Sequence, residues 1–146
     1  MKKMLLTMMM CLSASWAQAG HENVGDPGPK TDDKPIYVAL LVEEVNLAPD
    51  LVGHGYFGKS VGGLSCVRST AVVYPPVESD YSCQFIQDVP IDAKAIYEAL
   101  DVPEVNLTPP GFSGSSDLSK TAGRLTCYRH QVVYPGAKPT YRCELD

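Results

Sequence analysis

Tryptophan is almost missing from this chain: the single Trp16 lies among the first twenty residues, and there are only three Phe. A core must therefore be assembled from aliphatic side chains and Tyr. Basic residues are also few, 12 Lys and Arg against 17 Asp and Glu, for a formal charge of −5. That balance disfavours grip on a phosphate backbone, which needs clustered Lys and Arg, and disfavours adhesion to anionic lipid. No apolar run reaches the roughly 20 residues required to cross a bilayer. There is no Cys-x-x-Cys, so the usual setting of a redox-active thiol is absent. There is no Gly-x-Ser-x-Gly elbow, and "GHGYFGKSVGG" (53–63) offers Gly and Lys-Ser without the spacing of a phosphate loop. Nucleotide binding, nucleic-acid binding and the commonest hydrolase chemistry are thus disfavoured.

What is present begins with "MKKMLLTMMMCLSASWAQAG". Lys2 and Lys3 precede a short apolar stretch, and Ala17-Gln18-Ala19 fits the small-x-small rule, so residues 1–19 read as a secretory signal cleaved after Ala19. Cys11 does not sit in a lipoprotein context. The Met-Lys-Lys start suggests a bacterial chain, periplasmic or secreted, in which Asn106-Leu107-Thr108 is a chance glycosylation match. Losing Lys2 and Lys3 with the signal takes the charge from −5 to −7. Residues 20–31, rich in Gly, Pro and charge, are expected to be disordered.

The rest is written twice. "DDKPIYVALLVEEVNLAP" and "KSVGGLSCVRSTAVVYPPVESDYSCQF" return as "DAKAIYEALDVPEVNLTP" and "KTAGRLTCYRHQVVYPGAKPTYRCEL", with a glycine-rich stretch inside each copy. The first copy spans 32–86 and the second 87–146. Each opens on a helical pattern: Ile36, Tyr37, Leu40 and Leu41, then Ile96, Tyr97 and Leu100. Asp32 and Asp92 suit the N-cap, Pro35 the first turn, and Pro103 ends the second helix. Each copy closes on alternation: Tyr81, Cys83 and Phe85, then Tyr141, Cys143 and Leu145. Leu64 and Cys66, like Leu125 and Cys127, alternate in the strand before.

Four cysteines remain after signal removal, an even set for an oxidising compartment, and four allow three pairings. The hairpin register chooses among them. "YPGA" (134–137) suits a tight turn with Pro second and Gly third, and counting outward from it sets Cys127 opposite Cys143. In the first copy "RSTAVV" has one residue more than "RHQVV", an insertion that a β-bulge accommodates, and Cys66 then faces Cys83. The expected bridges are Cys66–Cys83 and Cys127–Cys143. The fold expected is α+β, tandem αββ units in the order αββαββ, with short helices on disulfide-tied antiparallel hairpins. "IQDVPI" (86–91) is too short for a free tether, so the two units are expected to share one core.

Candidate chemistry is thin. His54 and His130 have no partner at metal-ligand spacing and read as exposed loop histidines; His21 would bind copper through its amine and imidazole only as the N-terminal residue, which cleavage after Ala19 does not make it, so no metal, cofactor or catalytic residue is assigned. Tyr37, Tyr97, Tyr74, Tyr134, Tyr81 and Tyr141 recur at equivalent positions, which points to packing. The glycine-rich stretches, Asp50–Gly58 and Pro110–Ser119, differ between copies and carry Tyr56, Phe57 and Phe112 as candidate anchors for a protein partner. Tandem disulfide-containing α+β repeats resemble, at the level of fold, some secreted inhibitors of bacterial enzymes. The function expected is a non-catalytic secreted or periplasmic binding protein, an enzyme inhibitor or immunity protein. The alternatives are a structural or stress-related envelope component and, behind it, a small hydrolase or metalloenzyme.

Overall fold

In a computed structural model of the chain, the residues described are 32–49, 54–71 and 78–146. The signal segment, residues 20–31, Cys11, His21 and Tyr74 lie outside them. Residues Thr31–Asp146 form one compact unit. Among the described residues it is mostly β, with two antiparallel four-stranded sheets and two short helices.

Each copy holds two strands more than the αββ unit expected. The first copy runs α1 (Lys34–Ala39), β1 (Val45–Asn46), β2 (His54–Val61), β3 (Leu64–Ala71) and β4 (Asp80–Phe85). The second runs α2 (Ala93–Ala99), β5 (Val105–Asn106), β6 (Ser115–Ala122), β7 (Leu125–Val132) and β8 (Thr140–Leu145). Each sheet is a meander in chain order. The glycine-rich stretches, expected as loops, run into β2 and β6, which begin at His54 and Ser115. Their Gly and Ser content hides the alternation by which strands are recognised, and the ladder to the next strand supplies the order that propensity does not. The turn between β2 and β3 explains one glycine pair: Gly62 and Gly63 have φ of 55° and 82°, as a two-residue I′ hairpin turn requires.

The helices are shorter than their sequence pattern, six and seven residues. Leu40 and Leu100 leave helical geometry to form an antiparallel bridge with each other. Leu41 N–H donates to Ala99 O, and Asp101 N–H donates to Ala39 O, both at 2.8 Å. This reciprocity relates the copies by an approximate two-fold. Leu41 is consequently exposed rather than part of a helical face. Asp92 caps α2 through Ala95 N–H (3.1 Å). The N-cap of α1 is Asp33, one residue beyond Asp32, and its carboxylate serves another purpose, described below.

One core draws on both copies: Ile36, Leu40, Leu64 and Cys66 with Ile96, Leu100, Leu125 and Cys127. The hairpin tips interlock with the opposite helix. A Cβ on Gly62 would collide with Asp92 O and Ile96, so only glycine fits where that tip meets α2. Both expected bridges are formed, Cys66–Cys83 and Cys127–Cys143, in the expected register. The β3 ladder is unbroken from Leu64 to Ala71, with no bulge; the extra residue of the first copy falls between Ala71 and Glu78, outside the described residues.

Candidate functional site

Duplication helps to separate scaffold from site: the buried polar network that both copies share serves the fold. The shared network starts from charges overlooked in the sequence. Lys59 Nζ donates to Tyr37 O (3.1 Å) and Leu40 O (2.8 Å), and Lys120 Nζ to Tyr97 O (3.1 Å) and Leu100 O (2.7 Å). Each lysine thus caps the carbonyl end of the helix in its own copy, where a cation also opposes the helix dipole. The Tyr37 hydroxyl donates to Glu44 (2.5 Å), which accepts from Arg68 (2.9 Å); Tyr97 donates to Glu104 (2.9 Å), with Arg129 at 3.7 Å. Burial first, and then the adjacent carboxylate, push both phenols up to about 12. Tyr81 and Tyr141 meet those rings edge-on, with centroids 5.3 and 5.4 Å apart. Every charged member recurs in both copies, the signal by which sequence reading alone could have found the network.

In sequence the copies differ most around the segment that forms one end of the second sheet. There Pro109–Phe112 and Tyr134–Ala137 form two turns of the same kind. Phe112 N–H donates to Pro109 O (3.2 Å) and Ala137 N–H to Tyr134 O (3.0 Å), with Gly111 and Gly136 at φ of 83° and 84°. Proline second and a positive-φ glycine third make these type II turns. Val133 N–H donates to Gly114 O (2.8 Å) and ties the two segments together. The tip so built presents Phe112 (60% exposed), Val133 (70%) and Tyr134 (75%), and Phe112 and Val133 line an open hollow of about 550 Å³. The sequence suggested packing for Tyr134; its ring instead faces solvent, because the turn carries it beyond the last rung of the β7–β8 ladder, His130–Thr140. The corresponding "VVYPP" of the first copy lies outside the described residues.

A second hollow, about 420 Å³, lies beside it over β6–β8 and is lined by Leu107, Asp117, Tyr128, His130, Thr140 and Arg142 among others. Here another expectation is corrected. His130 is a strand residue of β7, set opposite Asp117 in the ladder, and its Nδ1 hydrogen-bonds the Asp117 carboxylate. Partnership across a ladder leaves no trace in linear spacing, so linear reading finds no partner for His130. Arg142 stacks over the Tyr128 ring at 5.2 Å and pairs with Glu144 at 3.2 Å. Strand register puts Tyr56, Ser69, Val67 and Ser82 of the first copy where Asp117, His130, Tyr128 and Arg142 stand. The pair is therefore private to the second copy. No cluster of three or more metal-ligating side chains occurs among the described residues.

The three sequence-chosen anchors are not brought together. Phe112 is at the tip. Tyr56 lies in β2 and is about two-fifths exposed. Phe57, also in β2, lies under the Arg68 guanidinium at 4.5 Å, which ties it to the shared network. His54 opens β2. Among the described residues no helix is long and apolar enough to cross a membrane, and the two disulfides are those of a chain from an oxidising compartment. No family model, no curated protein and no solved structure matches this chain.

Proposed function

We propose that this chain is a non-catalytic secreted or periplasmic binding protein, an enzyme inhibitor or immunity protein by class, whose contact surface is the tip of the second sheet. The observation that carries the reading is exposure combined with repetition. "VVYP" is spelled in both copies, yet in the second its Val133 and Tyr134 are 70% and 75% exposed, so packing does not explain why it recurs. Three large apolar side chains on turns fixed by proline, glycine and a cross-link of backbone hydrogen bonds form a preorganised patch, and preorganisation lowers the entropy lost on association. Aromatic anchors of this type supply most of the affinity in protein interfaces.

The experiment is capture of partners from periplasmic or culture extract by immobilised protein, with Phe112→Ala/Tyr134→Ala as the control. A partner retained by the parent chain and lost by the folded double variant supports the reading; equal retention by both rejects the tip.

A second reading, a small hydrolase, draws on the Asp117–His130 pair, where a carboxylate orients an imidazole beside a hollow. Turnover of ester or amide substrates that His130→Gln abolishes, with folding unchanged, would favour it over the binding role.

A further inference from the structure

The edges of the two sheets are treated differently, and the difference exposes a strand. In each cysteine pair the Cα atoms are 4.0 Å apart, the narrow spacing of residues that do not exchange hydrogen bonds with each other. The N–H and C=O of Cys83 and of Cys143 therefore point away from their neighbouring strand, toward the open edge of the sheet. At Cys83 that edge is closed. Its N–H donates to Asp33 Oδ2 (2.7 Å) and its C=O accepts from Arg124 Nη2 (2.6 Å), so a carboxylate and a guanidinium stand where the peptide groups of a fifth strand would be. Cys83 is 1% exposed as a result.

At the matching edge of the second sheet, Ala93 stands where the first copy has Asp33, and Gly63 of the first copy stands where the second has Arg124. No side chain plugs β8: the backbone groups of Cys143 have no partner among the described residues, and Cys143 is only partly buried. By the same alternation, the N–H and C=O of Tyr141 and Leu145 also face the edge. An unpaired strand edge is a template for another strand.

We propose that β8 pairs antiparallel with β8 of a second copy of this chain, about a two-fold axis at Cys143. That register is self-complementary in hydrogen bonding. Cys143 exchanges its bonds with its mate, and Tyr141 with Leu145 of the other copy, using the groups the monomer leaves unpaired. It is also self-complementary in charge. On the outer face Arg142 comes opposite Glu144 of the other copy, and Glu144 opposite Arg142. A shift of one residue either way loses both matches. The isologous interface joins the two second-copy sheets into one continuous eight-stranded sheet. The inference does not depend on the tip being a contact surface.

The test is sedimentation equilibrium of the disulfide-bonded chain, with charge reversals at the two exposed positions. The parent chain is expected to be dimeric. Arg142→Glu and Glu144→Arg should each weaken dimerisation about tenfold or more, because the symmetry repeats every like-charge contact, and combining them should restore it. Amide exchange of the parent chain should show Tyr141, Cys143 and Leu145 protected on association, a readout that needs no variant. A monomer at every concentration overturns the proposal. So does a dimer indifferent to both reversals, or one that leaves those three amides unprotected.

Discussion

Arg124 reaches across the molecule to Asp33, 91 residues earlier, placing Nε 2.6 Å from Oδ1 and Nη2 3.1 Å from Oδ2. Asp33 is 2% exposed, and the pair occurs on one side of the approximate two-fold only. It joins the hairpin tip of the second copy to the helix start and sheet edge of the first. Removing one partner of a buried pair leaves the other uncompensated. Arg124→Ala or Asp33→Ala should therefore cost about 2–4 kcal/mol. Thermal unfolding checks this, with a fall in Tm of roughly 10 °C or more expected. A change within a degree or two would show that the pair adds nothing to the junction.

The same contact has a pH signature. Burial by itself raises the pKa of Asp33, but the Arg124 hydrogen bonds, Cys83 N–H and the Arg124 charge outweigh it and hold the carboxyl below its ordinary value. A depressed folded pKa gives stability that is complete above the unfolded value of about 3.9 and is lost as pH falls through the folded one. Asp33→Asn should thus trail the parent chain at neutral pH and close the gap under acid. Denaturant midpoints measured at neutral pH and near pH 3 decide it; a constant gap would contradict the linkage.

Much of the scaffold was legible because it is local. The alternation of Tyr141, Cys143 and Leu145, together with the Pro135-Gly136 turn, fixed a hairpin register and hence the disulfides, and the structure has both. What stayed hidden depends on partners distant in the chain. The helices stop early because Leu40 meets Leu100, a contact between copies that no periodicity announces. β2 and β6 carry too much Gly and Ser to show alternation. Of the site, Phe112 is visible as an apolar residue in a divergent segment. Tyr134 is not, because repetition by itself does not distinguish a buried position from an exposed one, and His130 is not, because Asp117 faces it only once β6 and β7 pair.

Tyr37 and Tyr97 are predicted to ionise late. Both phenols are pushed up to about 12, while the unfolded value is about 10. A raised folded pKa means stability that is whole below about pH 10 and declines as pH climbs toward 12. Spectrophotometric titration should show a delayed tyrosinate step that Tyr37→Phe and Tyr97→Phe remove. Ionisation of all tyrosines together near pH 10, with the fold intact, would contradict the buried network.

Each bridge closes a short loop, with sequence separations of 17 and 16 residues. In the chain-entropy model each is worth about 3 kcal/mol, a large share of the 5–15 kcal/mol typical of a folded domain. Reduction should therefore unfold the chain or lower its midpoint sharply, and denatured unreduced protein should expose no reactive thiol at Cys66, Cys83, Cys127 or Cys143. Peptide mapping that links Cys66 to Cys127 would contradict the register.

His130→Gln and Asp117→Asn, separately or together, should leave partner binding within a few fold and stability nearly unchanged, since both side chains are about half exposed and exposed pairs contribute little. Calorimetric titration with the captured partner reads this directly. Abolished function in a folded His130→Gln variant would shift the account to the hydrolase reading.

The most direct test of the central claim, that the second copy's tip is the contact surface and the duplicated network the scaffold, measures two properties on one set of variants. Affinity for the captured partner and Tm are determined for Phe112→Ala, Tyr134→Ala and Phe57→Ala. Truncating an anchor at the tip should cost about 2 kcal/mol or more of binding, with folding shifted by no more than about 0.5 kcal/mol. Phe57→Ala, which removes the ring beneath Arg68, should do the reverse, lowering Tm while the affinity of the folded fraction holds. Full affinity in the Phe112 and Tyr134 variants, or unfolding by either, would contradict the account.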